Sequence, residues 1–399
     1  MKKNRLENFT IFSLIISCMY LQQTIFIFQD YDKKNYFFLF FRMMSIVTLA
    51  LITLYFCKCS IHTKKIRKIL ATILFFICYF WGNYQGRLIL LLGLYIGLFM
   101  IKDSPKMYKG MYKFMACICF LGLISFMFLK MGLNLNLVEV EANNSLKTLN
   151  GISYLKHYFL GILKYSGNYI SPRFQSIFDE PGSLGTIIGT LLIFDNLKSS
   201  ELKFSRYILI VSGFFTQSLA FFILILLKIV TTFYKSNRKL KRLAKLFLFS
   251  FMLMMSIKYI DSKYLDNVFH HNVIRKIVEL ESNRENDSAK VILDNFMKGE
   301  NVFWGKRESF YSNYPNLDIS SWRIIVYEKG LISLMLLLIY YLYVTEFITQ
   351  KKEIKICIFL FLINLYQRPE LITSSAYLFI LISGIENLKL KNEEISWKN

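Results

Sequence analysis

Charged residues are scarce in this chain. Only 19% of its 399 residues are Asp, Glu, Lys or Arg, against 54% hydrophobic and 17% aromatic. That balance excludes a disordered, charge-rich tail protein and argues against a soluble enzyme. Acidic residues are scarcer still, 27 against 49 Lys and Arg, which leaves a net charge of +22. The basic residues stand between apolar segments rather than in one patch. Their excess therefore reads as a topology signal and as contact with anionic headgroups, and no nucleic-acid partner is expected. The seven cysteines (Cys18, Cys57, Cys59, Cys78, Cys117, Cys119 and Cys357) all lie in or beside apolar runs. This excludes a disulfide framework and a zinc site, and the close pairs Cys57/Cys59 and Cys117/Cys119 read as small core residues. His157, His270 and His271 have no second ligand at metal spacing, so no metal is expected. There is no Walker motif, dinucleotide fingerprint or nucleophile elbow, which excludes an ATP-driven pump.

What the chain does have is long apolar runs. A soluble fold does not need runs of about 20 residues, and a bilayer does. The basic stretch Met1–Asn8 precedes an apolar run, Phe9–Phe28, that is too long for a signal-peptide core and lacks a small-residue cleavage site. It reads as an uncleaved first span. The expected fold is all-α, a polytopic integral membrane protein forming one membrane domain. Its spans are expected at 9–28, 36–57, 69–82, 87–101, 114–133, 182–196, 206–217, 218–233, 244–261, 322–345, 354–366 and 371–388. Several are short, and the shortest are paired through tight polar turns such as Thr216-Gln217-Ser218. Arg206 stands on one side of that pair, and Lys235, Arg238, Lys239, Lys241 and Arg242 stand on the other. Both ends favour the cytoplasm, so the chain crosses twice there rather than once. The same rule places both termini inside.

Two outer segments, 134–181 and 262–321, are too long to be mere connectors, and loops of that size usually carry function. Within the first, residues 152–165 are apolar and aromatic but broken by Lys156, His157 and Lys164. They read as a helix lying in the membrane interface. Within the second, Val291, Ile292, Phe296 and Met297 share a side at helical spacing, which predicts a helix over 287–298.

The first long loop ends Arg173-Phe-Gln-Ser-Ile-Phe-Asp-Glu-Pro-Gly182 and opens a span. Asp179, Glu180 and Pro181 suit the first turn of a helix on capping grounds alone. The same residues suit an anion site, with Arg173 on a phosphate, free N–H groups near Gly182 and Ser183 assisting, and Glu180 as a base or a sugar-hydroxyl ligand. Arg323, Glu328 and Lys329 fall at the outer rim of a span, where charges are costly and tend to be paired or functional. Arg323 and Glu328, five residues apart, make a poor helical pair, so Glu328 is expected to face another helix. Arg42 and Lys258 are expected to snorkel.

Three stretches resemble the bacterial O-antigen and capsular polysaccharide polymerases (Wzy type) of the O-antigen polymerase/ligase group. They are Arg173–Gly182, the hairpin Gly213-Phe-Phe-Thr-Gln-Ser-Leu-Ala220, and Ser321-Trp-Arg-Ile-Ile-Val-Tyr-Glu-Lys-Gly-Leu-Ile332 preceded by Asn301-Val-Phe-Trp-Gly305. The resemblance implies a metal-independent glycosyltransferase without cofactors, in the bacterial plasma membrane. Its substrates would be undecaprenyl-pyrophosphate-linked oligosaccharides held in membrane lipid, and its partners a chain-length copolymerase and a flippase. Arg173 and Arg284 would hold pyrophosphates. Glu180 is the first choice as general base, with Asp318 or Glu328 behind it. Gln217, Arg307, Arg323, Asp318 and Glu328 are the expected substrate contacts. A ligase of the same group typically has a His where this chain reads Asp318-Ile-Ser-Ser-Trp322, which favours a polymerase. A lipid-linked oligosaccharide flippase is the alternative of a different class, expected to have shorter outer loops and more charges deep in its spans.

Overall fold

The computed structural model describes residues 2–20, 48, 63–79, 86–100, 104–131, 138–141, 152–157, 161–166, 169–170, 173–178, 180–195, 200–234, 287–314, 317, 321–368 and 374–396. Helices dominate. They are α1 Lys2–Tyr20, α2 Thr63–Tyr79, α3 Gly86–Met100, α4 Ser104–Lys130, α5 Pro181–Ile193, α6 Lys203–Phe215, α7 Leu219–Tyr234, α8 Asp287–Met297, α9 Phe310–Asn313, α10 Trp322–Val344, α11 Lys352–Gln367 and α12 Ser375–Ser396. Ten of the twelve expected segments coincide with a described helix, with ends moved by as much as ten residues, as at the start of α4. The spans expected at 36–57 and 244–261, with Arg42 and Lys258, lie outside the described residues except for Thr48. By length and composition, two of the described helices are long and apolar enough to cross a membrane, at Ser104–Phe128 and Trp322–Val344.

The all-α expectation fails in the first long loop. The chain there forms a four-stranded antiparallel meander, β1 Val138–Glu141, β2 Ile152–His157, β3 Gly161–Ser166 and β4 Tyr169–Ile170, in the order β1-β2-β3-β4. Tyr154 sits opposite Lys164 and Leu155 opposite Leu163 in the β2–β3 register. The expected interfacial helix over 152–165 is therefore a hairpin. Its Ile, Tyr and Leu suit a pleated surface, and Lys156 and Lys164 break a helical face without breaking a period of two.

The chain divides into two compact units, one of Met1–Phe114, Phe194–Leu202 and Arg284–Asn399, the other of Met115–Ile193 and Lys203–Asn283. In the first, α2 and α10 pack antiparallel. Lys68 pairs with Glu346 at 2.8 Å near one end, and the Phe75 ring stacks on Tyr340 at 4.2 Å in the middle. At the other end the Lys329 ammonium lies 3.9 Å over the Tyr79 ring. Such a cation over an aromatic face contributes about 0.5–2 kcal/mol, more as it is desolvated. A smaller core joins α8 and α9 to the start of α10 through Ala289, Leu293, Phe310 and Tyr327.

In the second unit, α5 is buried almost all round, as a helix apolar on every face must be. Close packing is possible because its small residues recur four apart. A Cβ on Gly185 would come within 2.4 Å of Ser218 Cβ, and one on Gly189 within 2.8 Å of a Leu224 methyl. This is the small-xxx-small device that lets helix backbones approach in membranes. Lys228 of α7 donates to the Ile193 carbonyl at the C-terminus of α5, where a cation meets the negative end of the helix.

Candidate functional site

The segment 173–178 rests on the α6–α7 hairpin. Phe174 N–H donates to the Phe215 carbonyl at 3.0 Å, and the Phe174 ring packs edge-on against Phe126, which also meets Phe215. This anchors Arg173 at the turn between α6 and α7. Its Nε donates to the Thr216 carbonyl at 3.0 Å and its Nη2 to the Gln217 carbonyl at 3.2 Å. The planar guanidinium fork suits two adjacent carbonyls, which an ammonium cannot match. The turn itself is tight: Gln217 has φ +49° and is buried, and Thr216 Oγ1 donates to the Gly213 carbonyl at 2.6 Å.

The first turns of α5 lie against this same turn through Gly185. Glu180 is half-buried, and its carbonyl accepts from Ser183 N–H at 3.1 Å and Leu184 N–H at 3.4 Å. Glu180 thus takes the capping place at the start of α5. One residue that sequence reasoning passed over stands out here. Gln175 is fully buried, and among the described residues neither atom of its side-chain amide has a hydrogen-bond partner. Leaving such groups unmet costs about 1–3 kcal/mol each. The amide therefore favours a bound water or a ligand hydroxyl. Its position two residues after Arg173 was visible in the sequence, but its burial was not.

The other expected residues gather at α10, in the other unit. Arg323 pairs with Asp294 of α8, and its own N–H donates to the capping Ser321 hydroxyl at 3.2 Å. The expectation that a rim charge is paired holds, with a partner that only the fold reveals. Glu328 turns to another helix, as expected. Its Oε1 accepts from Phe310 N–H at 2.9 Å and Ser309 hydroxyl at 3.3 Å, so it caps α9. That use as a structural cap argues against Glu328 as the general base.

Immediately beyond, α10 is broken. Gly330 adopts φ +85° and ψ +163°, conformations that only glycine takes without strain. The carbonyls of Tyr327 and Glu328 face the loop before α9. Lys306 N–H donates to Tyr327 at 2.7 Å and Arg307 N–H to Glu328 at 2.8 Å. In return Ile332 N–H donates to the Phe303 carbonyl at 3.2 Å. Gly305 and Gly330 sit face to face, since a Cβ on Gly305 would lie 2.4 Å from Gly330 N. Arg307 therefore reaches α10 through its main chain, at φ +62°, and its side chain is exposed.

Arg173 and Gln217 are thus brought together, as are Arg307 and Glu328, while Arg323 goes to Asp294. Arg284, Asp318, His270 and His271 lie outside the described residues, as does Asp179. His157 lies in β2, opposite Gly161. Among the described residues no group of three or more His, Cys, Asp and Glu is placed to hold a metal ion. Comparisons with protein families, with curated proteins and with solved structures find no match.

Proposed function

We propose that this protein is a polytopic membrane glycosyltransferase that polymerises lipid-pyrophosphate-linked oligosaccharide repeat units at the outer face of the bacterial plasma membrane. The observation that carries the reading is the attachment of Arg173 to the Thr216–Gln217 turn, with α5 starting against that same turn. Two stretches of the resemblance thereby meet in space. The third, 321–332, meets the 301–305 segment that precedes it, through the Gly305–Gly330 contact. Membrane embedding is supported by outward apolar stripes, Ile66, Leu70, Leu74 and Ile77 on α2 and Met335, Ile339 and Leu342 on α10.

In this reading Arg173 meets the donor pyrophosphate, and the N-terminus of α5 adds its partial positive charge. The acceptor hydroxyl gives its proton to the Glu180 carboxylate as its oxygen bonds to the donor's anomeric carbon. The bond from that carbon to the pyrophosphate oxygen breaks, and the lipid pyrophosphate leaves with the electron pair. The cation stabilises the charge that develops there. Gln175 has the chemistry to take a sugar hydroxyl.

The test is a gel of surface glycan from cells lacking the gene, complemented with the wild type or with Arg173→Ala at matched expression. The reading expects single repeat units after deletion, a full ladder with the wild type, and none with Arg173→Ala. Long glycan left on the lipid carrier would point to a ligase, and repeat units retained on the cytoplasmic side would point to a flippase.

A further inference from the structure

We infer that the surface of the bilayer passes the break in α10, and that Phe303 and Trp304 are an anchor dipping into the headgroup region there. The inference rests on the membrane reading but not on the polymerase reading.

The break divides α10 into chemically different halves. Trp322–Lys329 carries Arg323, Glu328 and Lys329 and packs on α8 and α9. Leu331–Val344 carries no charge. If all of α10 crossed the hydrocarbon, the loop bonded at Ile332 would lie about 15 Å along it, near mid-depth. Lys306, Arg307 and Glu308, all exposed, would then stand at that level. Charges are costly at that depth, and exposed non-helical backbone is not tolerated there. Placing the boundary at Gly330 removes both costs. The charged half then stands in water. The apolar half rises about 21 Å, short of a typical 30 Å core. Locally thinned lipid and amphipathic side chains at the edge make up the difference.

Phe303 and Trp304 are the side chains at that edge. They are 57% and 63% exposed, on a loop held by backbone bonds on either side of them. Directly below, Ile332, Met335, Ile339 and Leu342 form an exposed apolar stripe down α10. The pair therefore continues a surface that is already apolar, and Lys306 and Arg307 follow it at headgroup level. Trp and Phe beside basic residues, at the top of an apolar stripe, fit an anionic lipid surface.

The full-length protein, reconstituted in phosphatidylethanolamine/phosphatidylglycerol vesicles, can report this by tryptophan emission. The emission of Trp304 is the difference between the wild type and Trp304→Phe, with Trp304→Tyr as a second reference that keeps an interfacial ring. Lipids brominated near the headgroup should remove most of that difference, and aqueous acrylamide should leave it nearly unchanged. Quenching by acrylamide without quenching by brominated lipid overturns the anchor. A response only to soluble oligosaccharide overturns it as well and makes Trp304 a sugar platform. Retention of the protein in vesicles after an alkaline wash reports the membrane reading separately, so the two fail independently.

Discussion

Two loops in this protein are fastened to helices by different means. The 173–178 segment is held to the α6–α7 turn by a single main-chain bond, Phe174 N–H to the Phe215 carbonyl, and by a side chain, the Arg173 guanidinium on two carbonyls. The 301–307 segment is held to α10 by main-chain bonds alone, from Lys306 and Arg307 to Tyr327 and Glu328 and from Ile332 to Phe303, around the facing glycines Gly305 and Gly330. A charged side chain can exchange its carbonyl partners for an anionic ligand. A peptide-to-peptide attachment has nothing to exchange and only sets shape. The first is therefore suited to chemistry and the second to scaffolding.

The comparison is broken most sharply at Gly330. Gly330→Ala puts a methyl 2.2 Å from the Phe303 carbonyl at a φ of +85°. It should cost more than about 3 kcal/mol, seen as a large drop in melting temperature in detergent. A wild-type melt would mean that the main-chain attachment is not formed. Arg173→Ala comes next, at about 2–3 kcal/mol for two charge-assisted bonds. Arg173→Lys should recover part of the stability but little polymer, because an ammonium lacks the fork. Equal recovery of both would make Arg173 purely structural. Glu328→Ala should cost about 1 kcal/mol through the lost cap on α9, while Glu328→Gln keeps an acceptor and should melt close to the wild type. Loss of polymer in Glu328→Gln with unchanged melting would restore Glu328 as a candidate base.

The smallest effect belongs to Glu201. Hydrogen bonds from Lys109 at 2.6 Å and Lys113 at 3.1 Å hold its carboxyl below the usual carboxylate range. Because the folded value is depressed, the stabilisation is present above the unfolded pKa, near 4.3. It fades as pH falls through the folded value. The site is exposed, so the contribution is at most about 1 kcal/mol. Glu201→Gln should narrow the gap to the wild type between pH 5 and 3 in a denaturant titration, and a gap that widens on acidification would contradict the pairing.

Much of the helical plan was legible. The turn Thr216–Ser218 separates α6 from α7 as the flanking charges required, and α8 matches the helix expected from Val291, Ile292, Phe296 and Met297 to within a residue. The meander is legible only at Val138-Glu139-Val140-Glu141, which alternates with a period of two, because in an aromatic-rich chain the apolar content of 152–170 hides the period. The break at Gly330 was not legible, since a glycine between a charged turn and an apolar run has no local signature of its own and its conformation answers to contact with Gly305, 25 positions earlier. Nor could sequence pair Arg323 with Asp294, which depends on how α8 packs on α10. Of the site, Arg173 and the hairpin it grips were both singled out, but the bond between them is a tertiary fact.

The main-chain fastening of 301–307 also bears on how this stretch can drift over evolutionary time. Peptide groups are the same in every residue, so Asn301, Val302, Phe303 and Trp304 can be exchanged without breaking a bond that holds the loop to α10. The constraint falls on the two glycines alone. A library of substitutions at 301–307 and at 330, scored for folded protein, should show two sharply intolerant positions, 305 and 330. The loop around 305 should show tolerance, with selection at 303 and 304 appearing only when the cells are also asked to make glycan.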